Sequence, residues 1–244
     1  MTAPEQLVLN LGHRPALARK DFVVSPANTE ALAWIERWPR WLGWGSGSGL
    51  VLHGPSGCGK SHLLSIWRER VGVGTVLATG AALTPDSVPE LAAGGAVAVD
   101  DAAAVAGDGA RERALFHLHN LLAERGGALL LAAVEPPARW PGLILPDLRS
   151  RLLALPVAAI GAPDDALLAA LLAKLFSDRQ LHPTAEVIAW LVARMERSCV
   201  AAGRLVAELD RRSLAERRPI TIRLAQAVMV DTAFGDQGVT LDPP

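Results

Sequence analysis

A glycine-rich stretch followed by lysine and serine, GPSGCGKS over residues 54–61, is the part of this sequence best suited to bind phosphate. It fits the pattern G-x-x-x-x-G-K-[S/T], in which glycines let backbone N–H groups wrap phosphate oxygens. Lys60 would reach the β and γ phosphates, and the Ser61 hydroxyl would be a ligand for Mg²⁺. The alternative is a plain glycine-rich turn. The predicted nucleotide-binding residues are Gly54, Pro55, Ser56, Gly57, Cys58, Gly59, Lys60, Ser61 and His62.

Two carboxylates, Asp100 and Asp101, end the apolar stretch AVAVDD. In a second phosphate-site motif, Asp100 would hold Mg²⁺ through water and Asp101 would polarise a hydrolytic water. Two acids at the end of a strand are also common in solvated loops. Together with GPSGCGKS, however, they predict a nucleotide and Mg²⁺ site.

These motifs need a sheet and its helices to position them. Short apolar runs alternate with longer helical patterns, which is typical of a parallel sheet with crossover helices. One helix is expected after Pro26. From about Pro163 onward only helices are expected, with Pro183 opening one and Gly203 interrupting the next, so a separate small helical domain is predicted. The predicted strands are LVLHG, TVLATG, AVAVDD, ALLLAAV and LLALPV.

Composition narrows the functional classes. The chain has 244 residues, of which 50% are hydrophobic and 20% charged, enough for one full domain and a smaller one. A net charge of −1 offers no basic excess for tight autonomous DNA binding. Cys58 and Cys199 lie far apart in a sequence with no signal segment, so a cytoplasmic protein is expected. No apolar run reaches the roughly 18 residues of a membrane span.

Several motifs occur in a fixed order: FVVSPAN, GKSHLL, VDD, FHLHNLLAERGGALLLAAVEPP and LPDLRSRL. Between Phe22 and the end of the helical region, they resemble the AAA+ module of the bacterial replication initiator DnaA and its shorter relative Hda. The resemblance implies an α/β fold with a parallel five-stranded αβα base, a small all-α lid, and ADP or ATP in the cleft between them. It also implies that Val23, Val24 and Asn28 lie near the adenine or ribose.

The resemblance suggests domain limits. The base would span residues 14–160 and the lid residues 161–235. Short tails would occupy residues 1–13 and 236–244.

The first tail contains QLVLNL, residues 6–11, which looks like the sliding-clamp-binding peptides of Hda. Gln6 would enter a polar corner of the DNA polymerase clamp. Leu7, Leu9 and Leu11 would fill its apolar pocket as an extended peptide. From its alternation alone, the segment could instead pair with the protein's own sheet.

The segment LRSRL, Leu148–Leu152, contains two arginines. Arg151 matches the family's arginine finger, which acts on a partner's nucleotide and accelerates hydrolysis on the order of 10³- to 10⁵-fold. From spacing alone, both arginines would be surface charges in a loop after a strand. For the lid arginine that touches the phosphates, Gly203 occupies the matching place, which leaves Arg204 in competition with Arg197.

The resemblance predicts weak or no intrinsic ATPase activity. Ala132, Ala133 and Val134 occupy the place where the family has a polar residue near the attacking water. The predicted function is negative regulation of replication initiation. The protein would bind the clamp and stimulate hydrolysis of DnaA-bound ATP through Arg151.

Assembly into a homo-oligomer stays open. Three alternative functions also stay open. A DnaA-like initiator is disfavoured by the absence of basic excess and of a C-terminal DNA-reading domain in this sequence. A helicase-loader-type P-loop ATPase would hydrolyse ATP without a partner. A clamp-docked interaction module would bind the clamp without catalytic stimulation.

Overall fold

The fold is described from a computed structural model over residues 17–40 and 49–235, with side chains described as far as residue 230. The predicted clamp-binding residues Gln6, Leu7, Leu9 and Leu11 lie outside the described residues. Most of the glycine-rich segment GWGSGSG, residues 43–49, lies outside them as well.

Five strands form one parallel sheet in the order β2-β3-β4-β1-β5. The central strands are almost wholly buried, which explains their continuous apolar composition. The prediction of a parallel sheet is therefore confirmed. The strands are β1 Gly49–His53, β2 Thr75–Thr79, β3 Ala96–Asp100, β4 Ala128–Ala133 and β5 Val157–Ala159.

The fifth strand shares only Val157 with the predicted strand LLALPV. The sequence LLALPV was expected to form a strand, but its first two residues, Leu152 and Leu153, end a helix. Leu152 is buried against the core on one side of the sheet. Its apolar character therefore reflects the packing of a helix, which a short apolar run does not distinguish from a strand.

Helices cover both faces of the sheet, because alternate residues of each strand point to opposite faces. Leu50 and Leu52 share one core cluster with the first two helices, α1 and α2. Val51, between them, belongs to the cluster formed with the next three, α3, α4 and α5. These helices are α1 Thr29–Glu36, α2 Lys60–Val71, α3 Val88–Ala93, α4 Gly109–Glu124 and α5 Pro146–Leu153.

The lid consists of helices with a core of their own. Side chains of Asp164, Thr184 and Ser198 cap three of them by accepting backbone hydrogen bonds. No helix in the described part of the chain is long and apolar enough to cross a membrane. The lid helices are α6 Asp165–Ser177, α7 Ala185–Val192, α8 Cys199–Glu216 and α9 Ile222–Gly235.

The expectation that Gly203 interrupts a helix was wrong, because α8 continues through it. A glycine inside a helix costs only about 1 kcal/mol relative to alanine. Ala202, Leu205 and Val206 are buried in the lid core beside it. Their packing outweighs the local preference of one glycine.

Candidate functional site: a phosphate-binding loop beneath the lid, and an exposed arginine

The predicted phosphate-binding loop, Gly54–Ser61, connects β1 to the first turn of α2. Gly57 and Gly59 have φ angles of +70° and +109°, in the left-handed region that favours glycine. A Cβ atom at Gly57 would also lie 2.0 Å from the Ser198 hydroxyl oxygen in the lid. Cys58 is buried, and burial raises the pKa of its thiol, so it acts as a small protonated filler.

The helix that follows the loop has no side-chain cap at its N-terminus. Gly59 precedes α2 and supplies no capping side chain. By contrast, Asp108 caps α4, and α6, α7 and α8 also have side-chain caps. Uncapped N–H groups at a helix N-terminus suit an anion, because they carry partial positive charge and lack hydrogen-bond acceptors. The loop therefore fits the phosphates of a nucleotide.

The side chains predicted to contact phosphate and Mg²⁺ lie together. The Lys60 Nζ donates hydrogen bonds to the carbonyl oxygens of Gly54, at 2.7 Å, and Pro55, at 2.9 Å. The Ser61 hydroxyl donates to Asp100 Oδ2 at 2.6 Å. A hydroxyl and a carboxylate at this separation are oxygen ligands of the kind Mg²⁺ prefers. The structure thus brings the two predicted metal ligands into contact.

Asp101, the predicted water-polarising residue, is exposed at the end of β3. Its φ angle of +47° is uncommon for a residue other than glycine. Its N–H donates to Asp100 Oδ1 at 2.9 Å, which helps to orient the neighbouring carboxylate. At the end of β4, Ala132 and Ala133 are buried and Val134 is 50% exposed, so none of these three positions offers a polar side chain.

The segment predicted to lie near the adenine forms a compact turn. The Asn28 side chain accepts from the Ser25 N–H and donates to the Val23 carbonyl, both at 2.9 Å. Asn28 is buried and Val24 is 48% exposed. Asn28 therefore shapes the turn that carries the two valines, and the contact of these residues with a base stays a prediction.

Residues just before this turn pack against both the phosphate-binding loop and the first turn of α2. Phe22 packs edge-on against His62, with ring centroids 5.1 Å apart. The ring of Phe22 also lies 3.5 Å from where a Cβ of Gly59 would be. The His62 Nε2 is 3.1 Å from the Ala18 carbonyl oxygen. Burial lowers the pKa of His62 and favours its neutral form.

The lid contacts the base on either side of the predicted nucleotide site. The Cys199 N–H, at the start of α8, donates to the Gly57 carbonyl at 2.8 Å. Asp21 Oδ1 lies 2.9 Å from the Nζ of Lys174 on α6. The hydrogen bond from Lys174 lowers the pKa of Asp21. Neither contact is predictable from the sequence, because the partners are distant in the chain and carry no motif.

Arg151 and Arg149 lie on α5, and both are exposed. Their expected location in a loop after a strand was wrong. Pro146 begins a helix here because its fixed φ angle suits the first helical position. Neither guanidinium has an ion-pair partner within the described residues.

The two candidate lid arginines have different surroundings. Arg197 lies 2.8 Å from Asp165 in an exposed ion pair. Arg204 is exposed on α8, about one and a half turns beyond the residue that contacts Gly57, and no ion pair to it occurs in the described part of the chain. Unlike Arg197, Arg204 therefore has no acidic partner among the described residues. Its contact with phosphate stays a prediction.

The chain is similar to known proteins in its lid and in its fold. Residues 164–229 match the family model described as the Hda lid domain. The fold is similar to domain III of the Thermotoga maritima replication initiation protein DnaA, with a TM-score of 0.73 and 18% identity over 89% of this chain and 97% of that one.

Two further solved structures are similar. AMPPCP-bound DnaA from Aquifex aeolicus has a TM-score of 0.66 and 17% identity, over 82% of this chain and 65% of that one. The Thermotoga maritima RuvB Holliday junction branch migration motor has a TM-score of 0.69 and 15% identity, over 88% of this chain and 71% of that one. At these identities the likeness shows the fold. The family match covers the lid, residues 164–229, and the likeness to DnaA domain III is one of fold.

Proposed function

We propose that this protein is a negative regulator of replication initiation that stimulates hydrolysis of the ATP bound to DnaA. The observation that carries the proposal is Arg151, an exposed guanidinium on α5 without an acidic partner in the described residues. It occurs in a DnaA-like fold with an Hda-type lid.

The chemistry assigned to Arg151 is electrostatic. During phosphoryl transfer, negative charge spreads over the oxygens of the γ-phosphate. A guanidinium supplied by a neighbouring protein stabilises that charge, and the acceleration is on the order of 10³- to 10⁵-fold. A planar group with five N–H donors suits this task better than an ammonium. An acidic partner within its own chain would compete for those donors.

The protein's own nucleotide is assigned a structural role. ADP or ATP would supply phosphates that bind the N–H groups of Gly54–Ser61, with Mg²⁺ held by Ser61 and Asp100. AMPPCP binds a DnaA of similar fold. Lid residue Cys199 contacts Gly57 in this loop, so bound nucleotide would fix the lid against the base.

Intrinsic hydrolysis is expected to be weak. Asp101 is present at the end of β3, but the end of β4 has Ala132, Ala133 and Val134. None of these side chains can orient an attacking water. The protein would therefore keep its nucleotide while it acts on that of DnaA. Arg204 would contact the phosphates from the lid.

The N-terminal segment QLVLNL would bind the DNA polymerase sliding clamp through Gln6, Leu7, Leu9 and Leu11. Clamps loaded on DNA mark newly copied chromosome. Attachment to them would raise the local concentration of the regulator there, an effect of linked binding sites. Regulation would then follow each round of replication.

Phosphate release from ATP-bound DnaA tests the proposal. The assay mixes DnaA, DNA-loaded clamp and this protein, and compares wild type with Arg151→Ala and Gln6→Ala. Wild type is expected to accelerate release only with loaded clamp, and both variants are expected to lose the acceleration. Arg149→Ala is the matched control, because Arg149 is an exposed arginine on the same helix. Equal release with wild type and Arg151→Ala would overturn the proposed mechanism.

A further inference from the structure

A buried carboxylate lies next to the helix that carries Arg151. Glu112, on α4, is 0% exposed. No cation forms an ion pair with it in the described part of the chain. Burial of a carboxylate is unfavourable unless hydrogen bonds replace its lost hydration. A side chain that served packing alone at this position would be apolar, so the carboxylate must be held by specific donors.

Backbone N–H groups supply those donors. Gly107 donates to Glu112 Oε1 at 2.9 Å. Ile144 donates to both carboxylate oxygens at 3.0 Å, and Leu145 donates to Oε2 at 2.7 Å. Three N–H groups from two separate segments therefore converge on one side chain. Hydrogen bonds to an ionised acceptor are stronger than those between neutral groups.

Two of these donors immediately precede α5. Leu145 is the residue before the first turn of α5, and it supplies no capping side chain. Glu112 therefore provides, from α4, the side-chain acceptor that the residue before α5 does not supply. A carboxylate at a helix N-terminus is favourable because it satisfies free N–H groups and opposes the helix dipole.

The contacts of Glu112 complement the apolar packing of α5. Leu148 and Leu152 are four residues apart, lie on one helical face and are buried in the core. Their packing fixes which face of the helix points outward. Hydrogen bonds at Ile144 and Leu145 fix where the helix begins along its axis. Together they determine the point from which the Arg151 side chain extends into solvent. Arg151 lies five residues after Pro146, the first residue of this short helix.

We propose that Glu112 is a positioning residue for Arg151: its buried carboxylate holds the start of α5 so that the Arg151 guanidinium reaches the γ-phosphate on the partner. The inference rests on the proposed function of Arg151. Displacement of a catalytic group by about 1 Å can cost on the order of 100-fold in rate. A short exposed helix anchored at one end by three hydrogen bonds is suited to prevent such displacement.

Glu112→Gln tests the proposal with little change of volume. Glutamine keeps one acceptor oxygen and places an NH₂ group toward the N–H donors. Amide hydrogen exchange in the isolated protein should become roughly tenfold faster at Ile144 and Leu145, since part of their protection is lost. The maximal rate of stimulated hydrolysis of DnaA-bound ATP should fall on the order of 10-fold, with half-saturation within about twofold of wild type.

Leu122→Ala is the stability control. Leu122 is fully buried on the same helix, α4, but makes none of the hydrogen bonds to Ile144 or Leu145. It should lower the melting temperature and leave the maximal stimulated rate per folded molecule unchanged. If Leu122→Ala and Glu112→Gln lower that rate equally, Glu112 serves only stability and the proposal is overturned.

A double variant separates this inference from the proposed function. If Glu112 acts through Arg151, Glu112→Gln should cost nothing further in an Arg151→Ala background. An additional loss of similar size in that background would overturn the positioning role while the proposed function stands. If wild type and Arg151→Ala already release phosphate equally, the proposed function fails, and the positioning role fails with it.

Discussion

The phosphate-binding loop and helix α5 are built in opposite ways. In the loop, polar side chains bind groups of the same chain: Lys60 contacts carbonyl oxygens of its own loop, and Ser61 contacts Asp100. On α5, Arg151 is exposed and has no acidic partner in the described residues. The polar side chains of the first region are bound within the molecule. The second region presents two solvated arginines, Arg149 and Arg151, at the surface.

The two regions also differ in how they are anchored. The loop touches the lid at Gly57, so on the proposed function a bound nucleotide would be linked to the position of the lid. Helix α5 is tied instead to α4, through Glu112 and the core beneath Leu148. Changes in one region should therefore affect nucleotide binding, and changes in the other should affect stimulation of a partner.

The largest expected effect in the loop comes from Lys60→Ala. It removes the cation that the proposal places against the phosphates, and hydrogen bonds to charged groups contribute about 1.5–3 kcal/mol. Affinity for ADP or ATP should weaken roughly 10- to 100-fold, as measured by fluorescence titration with a labelled nucleotide. Lys20→Ala is the control, because Lys20 is exposed and lies outside the loop. Unchanged affinity in Lys60→Ala would remove the loop from the proposed site.

A smaller effect is expected where the lid meets the base. Asp21→Asn breaks a pair whose side chains are 10% and 25% exposed, between the buried and surface cases. We expect a loss of about 1–2 kcal/mol in the free energy of unfolding, measured in urea. Asp178→Asn, which removes the other and more exposed partner of Lys174, should cost about 0.5 kcal/mol or less. Equal losses of unfolding free energy would show that the contact between Asp21 and Lys174 stabilises the fold no more than the exposed pair of Lys174 and Asp178.

The smallest expected effect is a change in how the free energy of unfolding depends on pH. His119 is buried and its Nε2 has no partner in the described residues. Burial lowers the pKa of His119, and the nearby charge of Arg151 lowers it further. The unfolded chain therefore binds a proton near pH 6.5 that the folded one does not, so stability should fall as the pH drops from about 7 to 5.

His119→Leu should flatten this dependence by at most about 1.4 kcal/mol per pH unit, and His62 would account for part of what remains. Urea unfolding of both proteins at several pH values measures the difference. Identical slopes for wild type and the variant would mean that His119 is not the titrating group.

The sequence predicted the features that depend on local pattern. The phosphate-binding loop could be recognised because its glycines, lysine and serine are adjacent, and the strands because each is a short apolar run. Leu152 and Leu153 were misassigned because a buried helix face and a buried strand have the same composition over a few residues. Arg151 was matched by motif, but its position on a helix depended on Pro146.

Contacts between distant residues could not be predicted in this way. Glu112 reads as one more charge on an amphipathic helix, and its donors Ile144 and Leu145 become visible only when α4 and α5 pack together. Asp21 and Lys174 similarly come from different subdomains. Such contacts depend on tertiary packing, which a single sequence read by local periodicity does not specify.

Single-turnover hydrolysis of ATP preloaded on DnaA, with Arg151→Lys as the variant, tests the comparison between the two regions most directly. Lysine keeps the charge but lacks the planar fork of donors. We predict that Arg151→Lys lowers the stimulated rate on the order of 10-fold or more, that Arg149→Lys has no such effect, and that both variants bind nucleotide like wild type. A wild-type rate with Arg151→Lys and also with Arg151→Ala would contradict the role assigned to this arginine.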